Sequence, residues 1–498
     1  MTEPCDLTAL EARRLIGVKK LSAAELLESC LARIALVNPA VNAVTAMDDV
    51  ASRATAKAAD EATMKGGPLP LLHGLPVGIK DLEETKGLRT TWGSPFFAEH
   101  IPTRDEGMVT RLRASGGNVI GKTNVPEFGL GANSRNTVWG ATGNAFNPEY
   151  NAAGSSGGSA VALATNMVPL ASGSDTGGSL RNPAAFNGIV GYRPSVGLVP
   201  SERRAHGFSP LPVLGPMARN VPDLAFMLAA MASDDSIDPL SYAFPGVKMR
   251  ERPELFHPVR TADLSALKLA FTEDFGQAPT ESIIRRAFRK VVAAVSPMFG
   301  RAVEATPDVS GGDEAFEVLR SVGVLSAHAE KIRTRPQDCG PNMHANVKEA
   351  LGYTLQDNAN ALTRQTQIYR GFQTFFAEHS VLITPGICAS PRPWRELYPA
   401  EIDGKPVRTY FHWLSLSYYV TLTGHPAICM PVGRDEKGFP FGLQIVGPRG
   451  GDVLVLQVAA AIEAAFAGDA EFARPVPDLA ALAKAPPIAS MYAFKTWE

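Results

Sequence analysis

Three short segments contain the serine and lysine residues whose setting favours chemistry. They are GLPVGIKD (74–81), AAGSSGGSA (152–160) and GSDTGGSLR (173–181). Adjacent glycines let the backbone turn sharply and expose consecutive N–H groups, and such a concavity stabilises a developing oxyanion. Ser179 closes the turn in the third segment, which predicts a serine nucleophile beside an anion-binding loop. Taken alone, the third segment fits a plain tight turn equally well.

A serine nucleophile requires a base, because its hydroxyl is a poor nucleophile at neutral pH. Histidine is the usual partner, but none of the nine histidines lies in either serine cluster. Lys80 ends an apolar run, and burial there would lower the pKa of its ammonium group and make a neutral amine available. In isolation, a solvated lysine at a strand end is the simpler interpretation of Lys80.

The segment from Gly154 to Gly158 matches G-x-S-x-G, the nucleophile elbow of α/β-hydrolases. That fold needs a strand before the elbow, and an Asp and a His further along the chain. The residues NPEYNAA before Gly154 have the composition of a loop, and His425 in TGHPAI is more typical of a packed turn residue. The elbow is therefore a weak alternative.

A further pattern, GGNVIGKT (116–123), matches the glycine-rich loop that binds nucleotide phosphates. Such a loop needs a strand before it and a helix after it. Here MVTRLRAS (108–115) has helical spacing and precedes the glycines, and the apolar strand lies inside the motif. We interpret Gly116 and Gly117 as a turn between a helix and a strand, and Lys122 as a residue without a nucleotide role.

Short apolar strands alternate with helical patterns around these segments. A strand-like run ends at Lys80, AVALA after the first serine cluster predicts a helix, and MVPLA (167–171) predicts a strand. Near the carboxyl end, ICMPVG (428–433) and FGLQIVG (441–447) predict a β-hairpin with largely buried strands. This alternation indicates an α/β protein in one large domain, residues 1–498.

Composition argues against several classes of partner. The formal charge is −2, so no strong field attracts nucleic acid or an anionic membrane. The five cysteines form no C-x-x-C pair, which predicts free thiols in a reducing compartment and neither a zinc site nor a disulfide framework. The chain has no apolar run of about 18 residues and no apolar core in its first segment that is typical of a signal peptide. We expect a cytoplasmic protein that binds neither membrane nor nucleic acid.

Together, the three Ser/Lys segments resemble the amidase signature family. Supporting matches are TNVPEFG (123–129), TGHPAICMPVG (423–433) and GLQIVGP (442–448). The similarity covers roughly residues 5–235 and 380–465. It implies a central mixed β-sheet covered by helices, and a variable, mostly helical region at 240–375 that shapes the substrate pocket.

The resemblance implies a Ser-cisSer-Lys triad. The family's nucleophile falls on Ser179, its bridging serine on Ser155 after a cis peptide bond from Gly154, and its base on Lys80. The expected reaction is hydrolysis of a carboxylic amide through an acyl-enzyme, with no metal or organic cofactor. The alternatives are an esterase or carbamate hydrolase on the same scaffold, and the family's amidotransferase that works on misacylated transfer RNA together with partner subunits.

The loop before the nucleophile is also covered by the resemblance. The family's oxyanion hole falls on the backbone N–H groups of Thr176, Gly177 and Gly178. Asp175 and Arg181 match positions that brace this loop.

Three positions depart from the usual family residues. Ala153 replaces a glycine, Asn187 a cysteine and Arg193 a lysine. None of them is a triad position, so the expected chemistry is unchanged.

Substrate and partners are only loosely constrained. Phe128 and Asn133 are candidates to border the site, and the aromatic stretch YFHWLSLSYY (410–419) is a candidate pocket wall or a core helix. We expect a small-molecule amide as substrate, and the resemblance is compatible with a homodimer.

Overall fold

A mixed sheet of eleven strands forms the centre of the part of the chain that the structure describes, and two small sheets accompany it. The structure is a computed structural model that describes residues 3–204, 206–241 and 252–497. Its strands are β1 Val44–Met47, β2 Pro76–Lys80, β3 Asn118–Thr123, β4 Arg135–Asn136, β5 Gly140–Ala141, β6 Leu170–Asp175, β7 Val190–Arg193, β8 Val213–Ala218, β9 Lys268–Phe271, β10 Arg301–Glu304, β11 Val381–Pro385, β12 Glu401–Ile402, β13 Lys405–Pro406, β14 Ala427–Arg434 and β15 Pro440–Val446.

Helices cover the sheet, and several begin at residues that cap their first turn. At Ser22 the hydroxyl accepts from the Glu25 N–H at 2.9 Å, and the Glu25 carboxylate accepts from the Ser22 N–H at 2.8 Å. The described helices are α1 Ala9–Gly17, α2 Ala23–Val41, α3 Asp49–Lys65, α4 Gly107–Ala114, α5 Gly157–Ala164, α6 Arg181–Asn187, α7 Val221–Met231, α8 Ser282–Val295, α9 Gly312–Thr334, α10 Pro341–Ala350, α11 Leu355–Glu378, α12 Ser415–Thr423, α13 Asp452–Ala465 and α14 Leu479–Lys484.

The strand order in the large sheet is β1-β3-β2-β6-β8-β7-β14-β15-β11-β9-β10. Strand β2 runs parallel to β3 and β6, and β9 runs parallel to β10 and β11. The remaining neighbours are antiparallel. The expected α/β fold, one large domain with a central mixed sheet covered by helices, is confirmed.

The parallel pair of β2 and β6 positions the chemically interesting segments. Val77 lies opposite Leu170 in this pair, so both strands end at the same edge of the sheet. Lys80 is the last residue of β2 and Asp175 the last residue of β6. Ligand sites of open α/β sheets lie beyond the carboxyl ends of the strands, which is where both serine-containing loops begin or end.

Several local predictions are confirmed, and one boundary is wrong. The predicted hairpin is the antiparallel pair β14 and β15, and the predicted helix and strand around Gly116 and Gly117 are α4 and β3. The strand expected at 167–171 begins only at Leu170. Asn166 has a left-handed φ of 58°, and Met167 N–H bonds to Ala162 O at 2.8 Å, so the chain is still leaving α5 there.

The region 240–375 contains α8, α9, α10 and α11 in its described residues. It also contributes β9 and β10, which extend the sheet beyond β11 and were not predicted. These strands are only four residues long, and β10 is partly exposed along its length, so neither gives a clear periodic signal. Residues 242–251 of this region lie outside the described residues.

All five cysteines are buried and free. Within the described ranges, no helix is both long and apolar enough to cross a membrane.

Candidate active site

Lys80 lies at the centre of a buried polar cluster. Its side chain is fully buried at the end of β2. The amine nitrogen Nζ lies 2.8 Å from Ser155 Oγ, 2.8 Å from Ser174 Oγ and 3.4 Å from Ser174 O. The structure therefore brings together the lysine of the first predicted segment and the serine of the second.

The environment of Lys80 favours a neutral amine. Burial lowers the pKa of Lys80 to about 8, although the carboxylates of Glu83 and Asp175 oppose this by favouring the ammonium form. Burial raises the pKa of Glu83 to about 8, and the nearby Lys80 counteracts part of that rise. A substantial fraction of Lys80 is thus unprotonated at slightly alkaline pH.

The two serine loops lie directly against each other. Ser156 N–H donates to Ser179 O at 3.3 Å, and the Gly154–Ser155 peptide bond is cis, as the resemblance implied. Helix α5 starts immediately afterwards, at Gly157. A Cβ on Gly158 would lie 2.2 Å from Asn124 N, so this position has room only for glycine.

Ser179 is half-buried and borders a cavity of about 350 Å³, which is at the small end of the range for ligand pockets. Thr176 and Gly177 also border this cavity. Gly178 has a φ of 114°, and a Cβ there would lie 2.5 Å from Asn182 Nδ2. Its N–H donates to Asp175 Oδ1 at 3.0 Å, so of the three predicted oxyanion donors Gly178 is already engaged in holding the turn.

Asp175 is the anchor of this turn. Its carboxylate accepts from Arg181 Nε and Nη2 at 3.0 and 2.8 Å, and from Arg193 Nη1 at 3.2 Å. Burial opposes ionisation of Asp175, but the two guanidinium groups outweigh it and hold its pKa well below the usual range. The predicted bracing pair of Asp175 and Arg181 is present, and Arg193 joins it.

The cavity has both apolar and polar lining residues. Helix α9 and the segment around Phe411 contribute mainly apolar side chains. The lining also includes Arg203 and Arg204, whose charges are paired with Glu84 at 2.8 Å and with Asp238 at 3.2 Å. Among the described residues, no group of three His, Cys, Asp or Glu side chains is arranged to hold a metal ion.

The two residues expected to border the site lie in different places relative to the cavity. Phe128 lines the cavity and packs against His328, with ring centroids 4.8 Å apart. Asn133 is not among the described residues that line it. Its buried Nδ2 group donates instead to the carbonyl oxygens of Trp394 and Glu396, both at 2.8 Å, so it ties two loops together.

The family model for Amidase matches residues 25–456, a span that includes Lys80, Ser155 and Ser179. The chain belongs to the Amidase family. Membership identifies it as an amide hydrolase, and the resemblance to amidase signature proteins is confirmed.

Individual relatives in the Amidase family differ in what they do. The chain is 32% identical over 467 residues to an acylamidase of Rhodococcus erythropolis, covering 92% of this chain and 95% of the relative. It is 31% identical over 494 residues to a glutamyl-tRNA(Gln) amidotransferase subunit of Acidothermus cellulolyticus, covering 92% and 94%. A solved bacterial aryl acylamidase of the amidase signature enzymes superposes with a TM-score of 0.85 at 25% identity, covering 92% of this chain and 96% of the other.

The nucleotide-loop interpretation has no structural support in this Amidase-family fold. Lys122 is fully buried within β3, where its Nζ contacts Glu83 O and lies 2.9 Å from Thr85 Oγ1. His425 is buried too: Thr423 Oγ1 and Gln373 Nε2 lie 2.8 and 3.1 Å from its ring nitrogens. Burial lowers the pKa of His425 to about 3, so this ring is a packed core residue.

Sequence reasoning missed two residues of the polar cluster. Ser174 sits one position before Asp175 on β6, and only the parallel β2–β6 pairing directs it to Lys80. Glu83 is 2% exposed, and its carboxylate accepts a hydrogen bond from Ser172 Oγ at 3.3 Å. Ser172 Oγ in turn accepts from the backbone N–H of Lys80 at 3.0 Å. A lone acid three residues after Lys80 carries no motif, so no sequence signal marks Glu83.

Proposed function

We propose that this protein hydrolyses a small-molecule carboxylic amide through an acyl-enzyme on Ser179, with Ser155 as the proton shuttle and Lys80 as the base. The 2.8 Å separation between Lys80 Nζ and Ser155 Oγ is the observation that carries this proposal. A base must lie within hydrogen-bond reach of the proton that it removes.

The three contacts of Lys80 Nζ can be made by both protonation states that the proposed base passes through. A neutral amine has two hydrogens and one lone pair, whereas an ammonium group has three donors. Two hydrogens directed at Ser174 Oγ and Ser174 O leave the lone pair for the hydroxyl proton of Ser155. Ser155, having given its proton to Lys80, accepts one from Ser179 as Ser179 Oγ attacks the carbonyl carbon.

The developing negative charge needs donors near Ser179. The backbone N–H groups of Thr176 and Gly177 are the first choice, because both residues border the cavity beside Ser179. The Gly178 N–H would act only as a shared donor, since it already bonds to Asp175. Preorganised donors of this kind supply several orders of magnitude in rate to acyl transfer.

Collapse of the tetrahedral intermediate breaks the C–N bond. Ser155 donates a proton to the departing nitrogen and regains one from the Lys80 ammonium, so a neutral amine or ammonia leaves. Water then attacks the Ser179 ester, its proton passes along the same route, and the acid is released with Ser179 restored. Esters enter the same cycle because only the leaving group differs, whereas a carbamate would leave a carbamoyl or alkoxycarbonyl group on Ser179 for water to remove.

Partitioning with hydroxylamine tests the acyl-enzyme. An anilide and an ester that share one acyl group should give the same ratio of hydroxamate to acid, since both pass through the same Ser179 ester. Ratios that differ between the two substrates would contradict a common intermediate.

The transfer-RNA amidotransferase is the second candidate, favoured by relatives of that name at nearly the same identity as the acylamidase. The purified chain decides between them. Turnover of simple amides by the chain alone supports the amidase, whereas activity that requires added partner proteins and ATP supports the amidotransferase.

A further inference from the structure

Helix α9 forms one wall of the cavity that contains Ser179. Its residues Phe316, Leu319, Gly323 and Val324 line the cavity, and their spacing places them on one face of the helix. The wall begins next to the predicted oxyanion turn, because a Cβ on Gly177 would lie 3.2 Å from the ring of Phe316. The cavity therefore borders both Ser179 and this helix face.

Gly323 stands out on that face. Glycine is among the least favourable residues in a helix interior, and Gly323 is not one of the glycines with a positive φ. A Cβ at this position would meet no heavy atom of the described chain within 4 Å, apart from its own neighbours and helix backbone. By contrast, a Cβ on Gly312 of the same helix would lie 3.0 Å from Tyr419. Neither backbone conformation nor packing requires glycine at 323, and the space that it leaves belongs to the cavity.

The polar residues of this wall are held in place by other groups. Arg320 Nη2 donates to the Tyr410 hydroxyl at 2.6 Å, and its guanidinium carbon lies 4.5 Å from the ring centroid of Phe411. His328 is buried, and burial together with the nearby charges of Lys331 and Arg320 lowers its pKa to about 4, so it is uncharged at neutral pH. Arg320 is thus the one charged side chain among the described cavity-lining residues of α9, and its guanidinium group is held against Tyr410 and Phe411, while the other α9 residues that line the cavity are uncharged.

We propose that Gly323 determines the substrate class: its missing side chain opens an apolar subsite on α9 that accepts the aromatic ring or alkyl chain of a bulky amide. This inference rests on the proposed function, since it assumes that the substrate reacts at Ser179. Filling the space should exclude bulky amides while leaving small ones able to reach the nucleophile.

The test compares wild type, Gly323→Ala and Gly323→Leu on propanamide, phenylacetamide and acetanilide. Gly323→Leu should lower kcat/KM by about tenfold or more for phenylacetamide if the subsite accepts the acyl group, or for acetanilide if it accepts the amine group. The kcat/KM for propanamide should change less than about twofold. Gly323→Ala should fold at least as well as wild type, with a higher Tm because alanine favours helix, and should show the same trend more weakly. Ser326→Leu changes an exposed residue of the same helix outside the cavity lining. It should leave kcat/KM for both bulky amides, relative to propanamide, unchanged.

Equal losses for all three amides in Gly323→Leu, or no loss for any, would overturn the subsite. Calorimetric binding of phenylacetamide to Ser179→Ala, with and without Gly323→Leu, separates this failure from failure of the proposed function. Weaker binding in the double variant supports the subsite even without turnover, and unchanged binding contradicts it. Normal hydrolysis by Ser179→Ala itself would instead overturn the proposed function.

Discussion

Lys80 Nζ lies 2.8 Å from Ser174 Oγ, the same distance that separates it from Ser155 Oγ. Two hydroxyls therefore hold one buried amine from two sides. Ser155 is the proposed proton shuttle, and we expect Ser174 to position the proposed base by accepting one of its hydrogens.

Replacement of Ser174 by alanine should slow catalysis without abolishing it. We expect Ser174→Ala to lower kcat by about 10-fold to 100-fold with little change in KM, because a misdirected base loses effective concentration rather than substrate contacts. Steady-state kinetics measure this, and Ser174→Thr, which keeps the hydroxyl, should recover part of the rate. A Ser174→Ala enzyme with full kcat would show that Ser155 alone aligns the lysine.

The pH dependence of the reaction should report Lys80. Activity needs the neutral amine, so kcat/KM should rise with pH through an apparent pKa of about 8, the value that burial gives to Lys80, and level off above it. A pH–rate profile for an uncharged amide measures this limb. A rate that stays flat from about pH 6 to about pH 9 would contradict lysine as the base.

Glu83 should affect the pH at which kcat/KM rises. Its carboxylate favours the ammonium form of Lys80, and Asp175 does the same from the other side, while Glu106 and Lys122 act on Glu83 itself. Because Glu83 itself has a pKa of about 8, the two groups titrate together. Glu83→Gln removes the carboxylate that holds the proton on Lys80 once Glu83 is ionised, so the apparent pKa should fall and relative activity near pH 8 should rise. An unchanged profile, or a shift to higher pH, would show that Glu83 is purely structural.

The buried ion-pair cluster of Asp175, Arg181 and Arg193 should contribute strongly to stability. Asp175→Asn leaves the buried guanidinium groups of Arg181 and Arg193 without their carboxylate. Breaking a buried ion pair on one side costs about 3–5 kcal/mol in the free energy of unfolding. Chemical denaturation measures the loss, with Asp49→Asn as the control, since the Asp49–Arg53 pair lies at the surface and is screened by water. Equal, small effects of both changes would contradict an anchoring role for Asp175.

The sequence indicates the residues proposed for the chemistry better than the residues that surround them. Lys80, Ser155 and Ser179 lie in glycine-rich segments whose composition is unusual, and the resemblance assigns each of them a role. Ser174 could not be predicted in the same way, because its contact with Lys80 arises from the pairing of β2 with β6. The place of Asn133 in the chain, close to Phe128, likewise does not reveal that its amide turns toward Trp394.

In the variable region 240–375, too, some elements could be predicted from the sequence and others could not. Helices α9 and α11 have recognisable helical sequences, but strands β9 and β10 are only four residues long, and β9 joins the rest of the sheet through β11, which is distant in the chain. The cavity face of α9 follows from packing between this region and the oxyanion turn. The sequence alone therefore gives no reason to single out Gly323, whose interest comes from the empty space beside it in the structure.

The most direct test is to map the adduct of a fluorophosphonate by peptide mass spectrometry. We predict a single modified residue, Ser179, with labelling lost in Ser179→Ala and slowed by about 10²-fold or more in Lys80→Met. Lys122→Met is the matched control: this second buried lysine lies one strand away and contacts Glu83 and Thr85 instead of Ser155, so its loss should reduce stability while leaving the labelling site unchanged. An adduct on any other residue, or undiminished labelling of Ser179→Ala, would contradict the assignment of Ser179 as the nucleophile.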